Sequence, residues 1–125
     1  MKTIYATDAK PGTVIIVEQE PCTVKSLDVS KTGKHGASKC RIETIGVFDG
    51  KKRIIVVPGS ERFETPLIEK KRAQVLSVQG NKANIMDSET FETLDIEIEE
   101  GLDVSEGASI EYWQFGNKRM IKRKV

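Results

Sequence analysis

Between Ser30 and Lys39 the chain reads SKTGKHGASK, which sets Lys34 and the only histidine, His35, between Gly33 and Gly36. Glycine lacks the Cβ that forbids positive φ, so a glycine on each side frees the backbone for a tight, projecting turn. Lys34 is thereby offered to a partner. The stretch from Val29 to Ile42 also carries Lys31, Lys39 and Arg41 and no carboxylate, so the loop has a positive field that its sequence neighbours do not quench. A polyanion is the natural partner for such a loop.

Other chemistries fit these residues less well. A phosphate-cradling loop needs Gly-Lys followed by Ser or Thr and then a helix, whereas here His35 follows Lys34 and a strand comes next. No serine, cysteine and carboxylate arrangement around His35 is legible from spacing, which argues against a hydrolytic site. One histidine and two cysteines, Cys22 and Cys40, make a four-ligand zinc site improbable. The cysteines read as small buried apolar groups. Leu94, Ile96 and Ile98 alternate with Asp95, Glu97 and Glu99, a spacing that a half-buried strand with a solvated acidic face explains without invoking a metal or an acid/base pair.

The elements that must position these residues read as almost entirely β. Thr13 to Glu18 and Cys22 to Val29 are rich in β-branched residues and flank a short polar turn, Gln19 to Pro21. Arg41 to Phe48 and Lys51 to Val57 flank Asp49-Gly50, which predicts a two-residue hairpin turn. The lysine loop then connects the second and third of these strands. Further strands are predicted over Ala73 to Gln79, Lys82 to Asp87 and Thr90 to Ile98, with a final hairpin of Ser109 to Phe115 and Lys118 to Lys124. A short helical turn fits between Gly101 and Gly107. Five strands in the second half suggest a small Greek-key barrel of the OB type. Pro66 to Arg72 (PLIEKKR) reads as a linker, placing a domain boundary near Glu69.

Charge separates the two halves. Met1 to Ile68 holds eleven Lys and Arg against eight Asp and Glu, and Glu69 to Val125 holds nine against eleven, or +3 and −2. The first half is therefore expected to meet phosphate first. In the second half, Tyr112, Trp113 and Phe115 crowd one strand, where filling the barrel interior is favoured over stacking on a base. Lys118, Arg119, Lys122, Arg123 and Lys124 form either an edge strand blunted by lysine or a strip that binds nucleic-acid backbone. The start, MKTIYATDAKPG, contains no apolar run of signal-peptide length, and no apolar run approaches the ~20 residues needed to span a bilayer. The expectation is a cytoplasmic chain that meets no membrane.

SKTGKHG followed by a strand, then GVFDGKKR, then PLIEKKRAQV, closely resembles the translation initiation factor 5A family. The resemblance implies an all-β fold of two small barrels. An SH3-like barrel over residues 1–68 would carry the loop, and an OB-fold over 69–125 would follow, similar to the first two domains of bacterial elongation factor P. It also implies that Lys34 is the lysine that deoxyhypusine synthase alkylates with the aminobutyl group of spermidine. Lys31, Thr32, Gly33, His35, Gly36 and Lys39 would be the surrounding loop. Ala37-Ser38 departs from the eukaryotic pattern and fits the archaeal branch, which leaves both deoxyhypusine and hypusine open as the final state. No other cofactor is implied. The expected partners are the ribosome, the peptidyl tRNA and ribosomal RNA, with Arg41 and the five basic residues of the tail as candidate backbone contacts. A monomer that is not itself an enzyme is expected. The rival reading is an unmodified RNA-binding or RNA-chaperone module.

Overall fold

A computed structural model describes residues 2–31 and 38–125. The chain divides into two compact units, the first ending at Leu67 and the second beginning at Ile68. Strands make up almost all of the regular structure, and the described residues contain no α-helix.

In the first unit, β1 (Lys2–Tyr5) pairs antiparallel with β6 (Arg62–Thr65). A second sheet runs in the order β2 (Val14–Val17), β3 (Glu20–Lys31), β4 (Ser38–Gly46), β5 (Lys52–Pro58), all antiparallel. Both sheets contribute to one apolar core. Ile15, Val17, Cys22, Val24, Cys40 and Ile42 are buried there, with Ile4 of β1 and Phe63 of β6 packed against them. Two sheets closing on a shared interior give a small SH3-like barrel. A 3-10 turn, Ala6–Asp8, follows β1 and buries Ala6.

The turn between β2 and β3 is tight, with Glu18 and Gln19 both at positive φ, the geometry that matches strand twist in two-residue hairpins. The β4–β5 connection differs from the predicted two-residue turn. It runs from Val47 to Lys51, because Val47 is drawn into the interior and its N–H donates to the Pro21 carbonyl. Asp49 instead accepts from the Lys51 N–H and binds the Arg53 guanidinium through both carboxylate oxygens.

The second unit is a closed barrel ordered β10 (Ser109–Phe115), β11 (Lys118–Lys124), β9 (Thr93–Ile98), β8 (Lys82–Asp87), β7 (Glu69–Gln79). Only β9 and β11 pair in parallel, and β10 returns to β7, the Greek-key closure of an OB-fold. Ala73, Val75, Ile85, Ile96, Ile110, Tyr112 and Ile121 fill it.

Four expectations change here. The charged run Glu69 to Arg72 is strand and not linker, since β10 supplies a partner to each of its residues. The stretch from Gly101 to Gly107 forms turns and no helix, with Val104 buried in the core and Leu102 packed against it. The predicted strand from Thr90 begins three residues later, because the Asp87 side chain caps the intervening turn. Finally, β11 lies between two partners, so the basic tail is no edge strand.

Candidate lysine loop and basic faces

The loop is mounted on a ribbon. β3 is twelve residues long, and only its first part, Glu20 to Thr23, pairs with β2. A register shift between Val24 and Ser26 breaks the regular ladder, after which Ser26 to Lys31 runs on with β4 as its only strand partner among the described residues. β4 in turn pairs with β5 as far as Pro58. The stem ends at the pairs Ser30 with Lys39 and Lys31 with Ser38. Residues 32–37, and with them Thr32, Gly33, Lys34, His35 and Gly36, lie outside the described residues.

Gly59 braces the loop end of this stem. Its N–H donates to the Ser38 carbonyl at 2.8 Å, and a Cβ in its place would fall 2.1 Å from Ser38 Oγ and 3.0 Å from Thr7 Cγ2. Sequence reasoning missed this position. The Pro58-Gly59-Ser60 triplet signals a turn, but nothing in it signals that the turn packs against the loop's own strand.

Lys31, Lys39 and Arg41 are all exposed on the stem. Arg41 is less available to a polyanion than the sequence suggested, because Glu43 lies two residues on along the same face. Arg41 Nη1 donates to Glu43 Oε1 at 3.0 Å, Ser26 Oγ donates to Oε2 at 3.1 Å, and Lys52 stands 4.0 Å away. The Arg41 and Ser26 hydrogen bonds, with the Lys52 charge, hold the Glu43 carboxyl below its usual range. Burial pushes the Cys40 and Cys22 thiols up, so both are poor nucleophiles. Among the described residues no cluster of His, Cys, Asp and Glu could hold a metal ion. No helix among them is long and apolar enough to cross a membrane.

On the second unit, alternation puts Tyr112 inside the barrel and Trp113 outside, contrary to the interior role expected for Trp113 and Phe115. The Trp113 ring lies between cations, with Lys70 Nζ 4.6 Å and Lys122 Nζ 5.2 Å from its centroid, while its Nε1–H donates to Glu111 at 2.9 Å. The basic tail is correspondingly engaged. Lys122 pairs with Glu99, Arg123 Nε stands 3.4 Å from Glu111, and Arg119 Nε donates to Gln114 at 3.1 Å. Arg119, Arg123 and Lys124 are exposed, and Lys118 and Lys122 half-buried. The expected alternation on β9 holds: Leu94, Ile96 and Ile98 pack on the core, and Asp95 and Glu97 face out.

The chain thus carries two small β units, one bearing a lysine-rich ribbon and the other a closed OB barrel. Residues 2–61 match the family described as "Translation initiation factor 5A-like, N-terminal". The chain is 40% identical over 126 residues to translation initiation factor 5A of Thermococcus kodakarensis, with 96% of this chain and 93% of that protein covered. It is 44% identical over 116 residues to that of Archaeoglobus fulgidus, with 91% of each covered. The solved structure titled eukaryotic translation initiation factor 5A from Methanococcus jannaschii superposes with a TM-score of 0.87 at 34% identity, over 99% of this chain and 94% of that one. The chain belongs to the translation initiation factor 5A family.

Proposed function

We propose that this protein binds the ribosome beside the peptidyl tRNA and promotes peptide-bond formation at stalled sequences, proline-rich ones among them, through a hypusine or deoxyhypusine on Lys34. The observation that carries the reading is the family's lysine-loop sequence, SKTGKHG, set at the end of a strand ribbon whose loop end Gly59 braces. Deoxyhypusine synthase would transfer the aminobutyl group of spermidine to the Lys34 amine. Alkylation keeps that nitrogen cationic, adds a terminal amine and roughly doubles the reach of the side chain. A long, doubly charged probe on a narrow mount suits the phosphate-lined path to the acceptor end of a tRNA.

The probe would act by position. Holding a poor peptidyl donor in a reactive alignment removes orientational entropy from the barrier without any proton transfer by the factor, so the chemistry stays with the ribosome and the protein is no enzyme. The second unit would lie along RNA, with the exposed Arg119, Arg123 and Lys124 of β11 as backbone contacts. It would act in the cytoplasm as a monomer.

Lys34→Arg tests this reading, since it keeps the charge and removes the acceptor amine. In a reconstituted system translating a proline-rich message, the modified wild type is expected to relieve the stall and the variant to lose that effect. Full activity of Lys34→Arg would point to the unmodified RNA-binding module.

A further inference from the structure

The turn from Asp87 to Glu92, between β8 and β9, is held with unusual completeness. Asp87, 4% exposed, accepts the Glu89 and Thr90 N–H groups on Oδ1 at 2.8 and 2.9 Å and the Tyr112 hydroxyl on Oδ2 at 2.5 Å. Its main-chain N–H donates to the Glu92 carbonyl and its carbonyl accepts from Phe91, both at 2.9 Å. The Ser88 N–H donates to the Arg72 carbonyl, which ties the turn to the barrel wall.

This frame displays Phe91. The ring is 70% exposed, and its backbone sits at φ +62°, in the left-handed region. Elsewhere among the described residues positive φ falls on six glycines and on the polar Glu18 and Gln19. A bulky residue there is disfavoured by about 1 kcal/mol or more relative to glycine. The unit therefore forgoes stability to present an aromatic ring that buries little surface within its own barrel. Nothing in the barrel's packing requires it, since Tyr112 fills the interior and the Asp87 and Thr90 side chains cap the turn.

The surroundings of the ring select the partner. Glu89 and Glu92 flank Phe91 and are exposed, and Asp95 and Glu97 line the outward face of the adjoining β9. Lys82 stands opposite Glu97 and the Arg119 charge acts on Tyr112, but the carboxylates directly beside the ring, Glu89 and Glu92, disfavour a phosphate there, so a nucleic-acid base is the poorer partner for it. We propose that the Asp87–Glu92 turn is a rigid docking knob for a basic protein surface with an apolar pocket, Phe91 filling the pocket and Glu89 and Glu92 meeting the basic rim. An aromatic anchor fixed before binding loses little entropy on contact, the usual make-up of an interface hot spot. The inference rests on the ribosome-binding reading above and places the contact on a ribosomal protein.

The test uses the full chain and ribosomes purified from its own host. Phe91→Gly is expected to raise the thermal midpoint of the second unit by a few degrees, and to weaken ribosome binding at least ~10-fold. The opposed signs separate a docking role from a folding one. A photoactivatable benzoyl-phenylalanine at position 91 is expected to crosslink to a ribosomal protein. Affinity of Phe91→Gly within about threefold of wild type, or a crosslink to ribosomal RNA, would overturn the proposal while leaving ribosome binding intact. Ribosomes that bind no wild-type protein would overturn both readings.

Discussion

Tyr112→Phe removes one atom from the best-buried polar pair in the second unit. Tyr112 is 2% exposed and Asp87 4%, and the hydroxyl donates to Asp87 Oδ2 at 2.5 Å. Phenylalanine fills the same space, so no cavity opens and the change isolates the hydrogen bond. A bond to a buried carboxylate is worth about 1.5–3 kcal/mol, and the deserted oxygen has no solvent to replace the donor. The expected loss is about 2 kcal/mol. For a unit of this size each kcal/mol moves the midpoint by roughly 4–8 °C, so the transition should fall by roughly 8–16 °C. Trp113, the only tryptophan, lies in this unit, and its fluorescence reports the second transition free of the first. Amide exchange at Glu89 and Thr90 should accelerate in parallel. A midpoint within 2 °C of wild type, about 0.5 kcal/mol or less, would refute the claim that this bond holds the turn.

The pH dependence of the same unit follows from the same pair. Burial raises the Asp87 carboxyl, but hydrogen bonds from Tyr112, Thr90 and Glu89 outweigh it and hold the group below its usual range. Burial and the Asp87 bond push the Tyr112 phenol up. The stabilisation from Asp87 is present above about pH 4 and lost as pH falls further, and that from Tyr112 is present below about pH 10 and lost above it, so thermal melts should show a plateau between. In the first unit, the paired Arg53 guanidinium holds Asp49 down to about 2 against the cost of its partial burial. Arg53→Lys should let that carboxyl rise toward about 3.9 in an NMR titration, since lysine cannot reproduce the two-point contact with Asp49 and the bond to Glu18. Gly59→Ala should displace Ser38 at the loop end of the stem, destabilise the first unit by about 1–3 kcal/mol and slow modification of Lys34 by purified deoxyhypusine synthase, read as modified fraction against time.

Much of this architecture is written in local sequence. The final hairpin and the strand from Lys82 to Asp87 fall where the Gly-Asn turns and the apolar alternation around them put them, because there alternation and turn chemistry agree. Short strands without alternation are illegible: β1 and β6 are four residues each and exist because they pair with one another across almost the whole unit. The same holds for Glu69 to Arg72, whose charges suggest a linker until β10 supplies their partners. At Asp49-Gly50 a strong turn signal gave way to Val47 packing and to the Arg53 ion pair, neither visible from a dipeptide. The basic residues of the candidate site were legible by type, but their pairing was not. Glu43 neutralises Arg41 and Glu111 meets Arg123 through contacts set by register and strand pairing. Trp113 moved from interior to surface for a related reason: alternation puts Trp113 and Phe115 on one face, and only barrel closure shows that Tyr112 has the other.

The central claim is that Lys34 carries a spermidine-derived extension, and intact mass of the protein purified from its own host tests it most directly. Fragmentation across Ser30 to Arg41 is expected to place an added mass of about 71 Da, one aminobutyl group, on Lys34, with a further oxygen if hydroxylation follows. An unmodified Lys34 in that material would contradict the account and leave a two-barrel protein acting through generic RNA contacts.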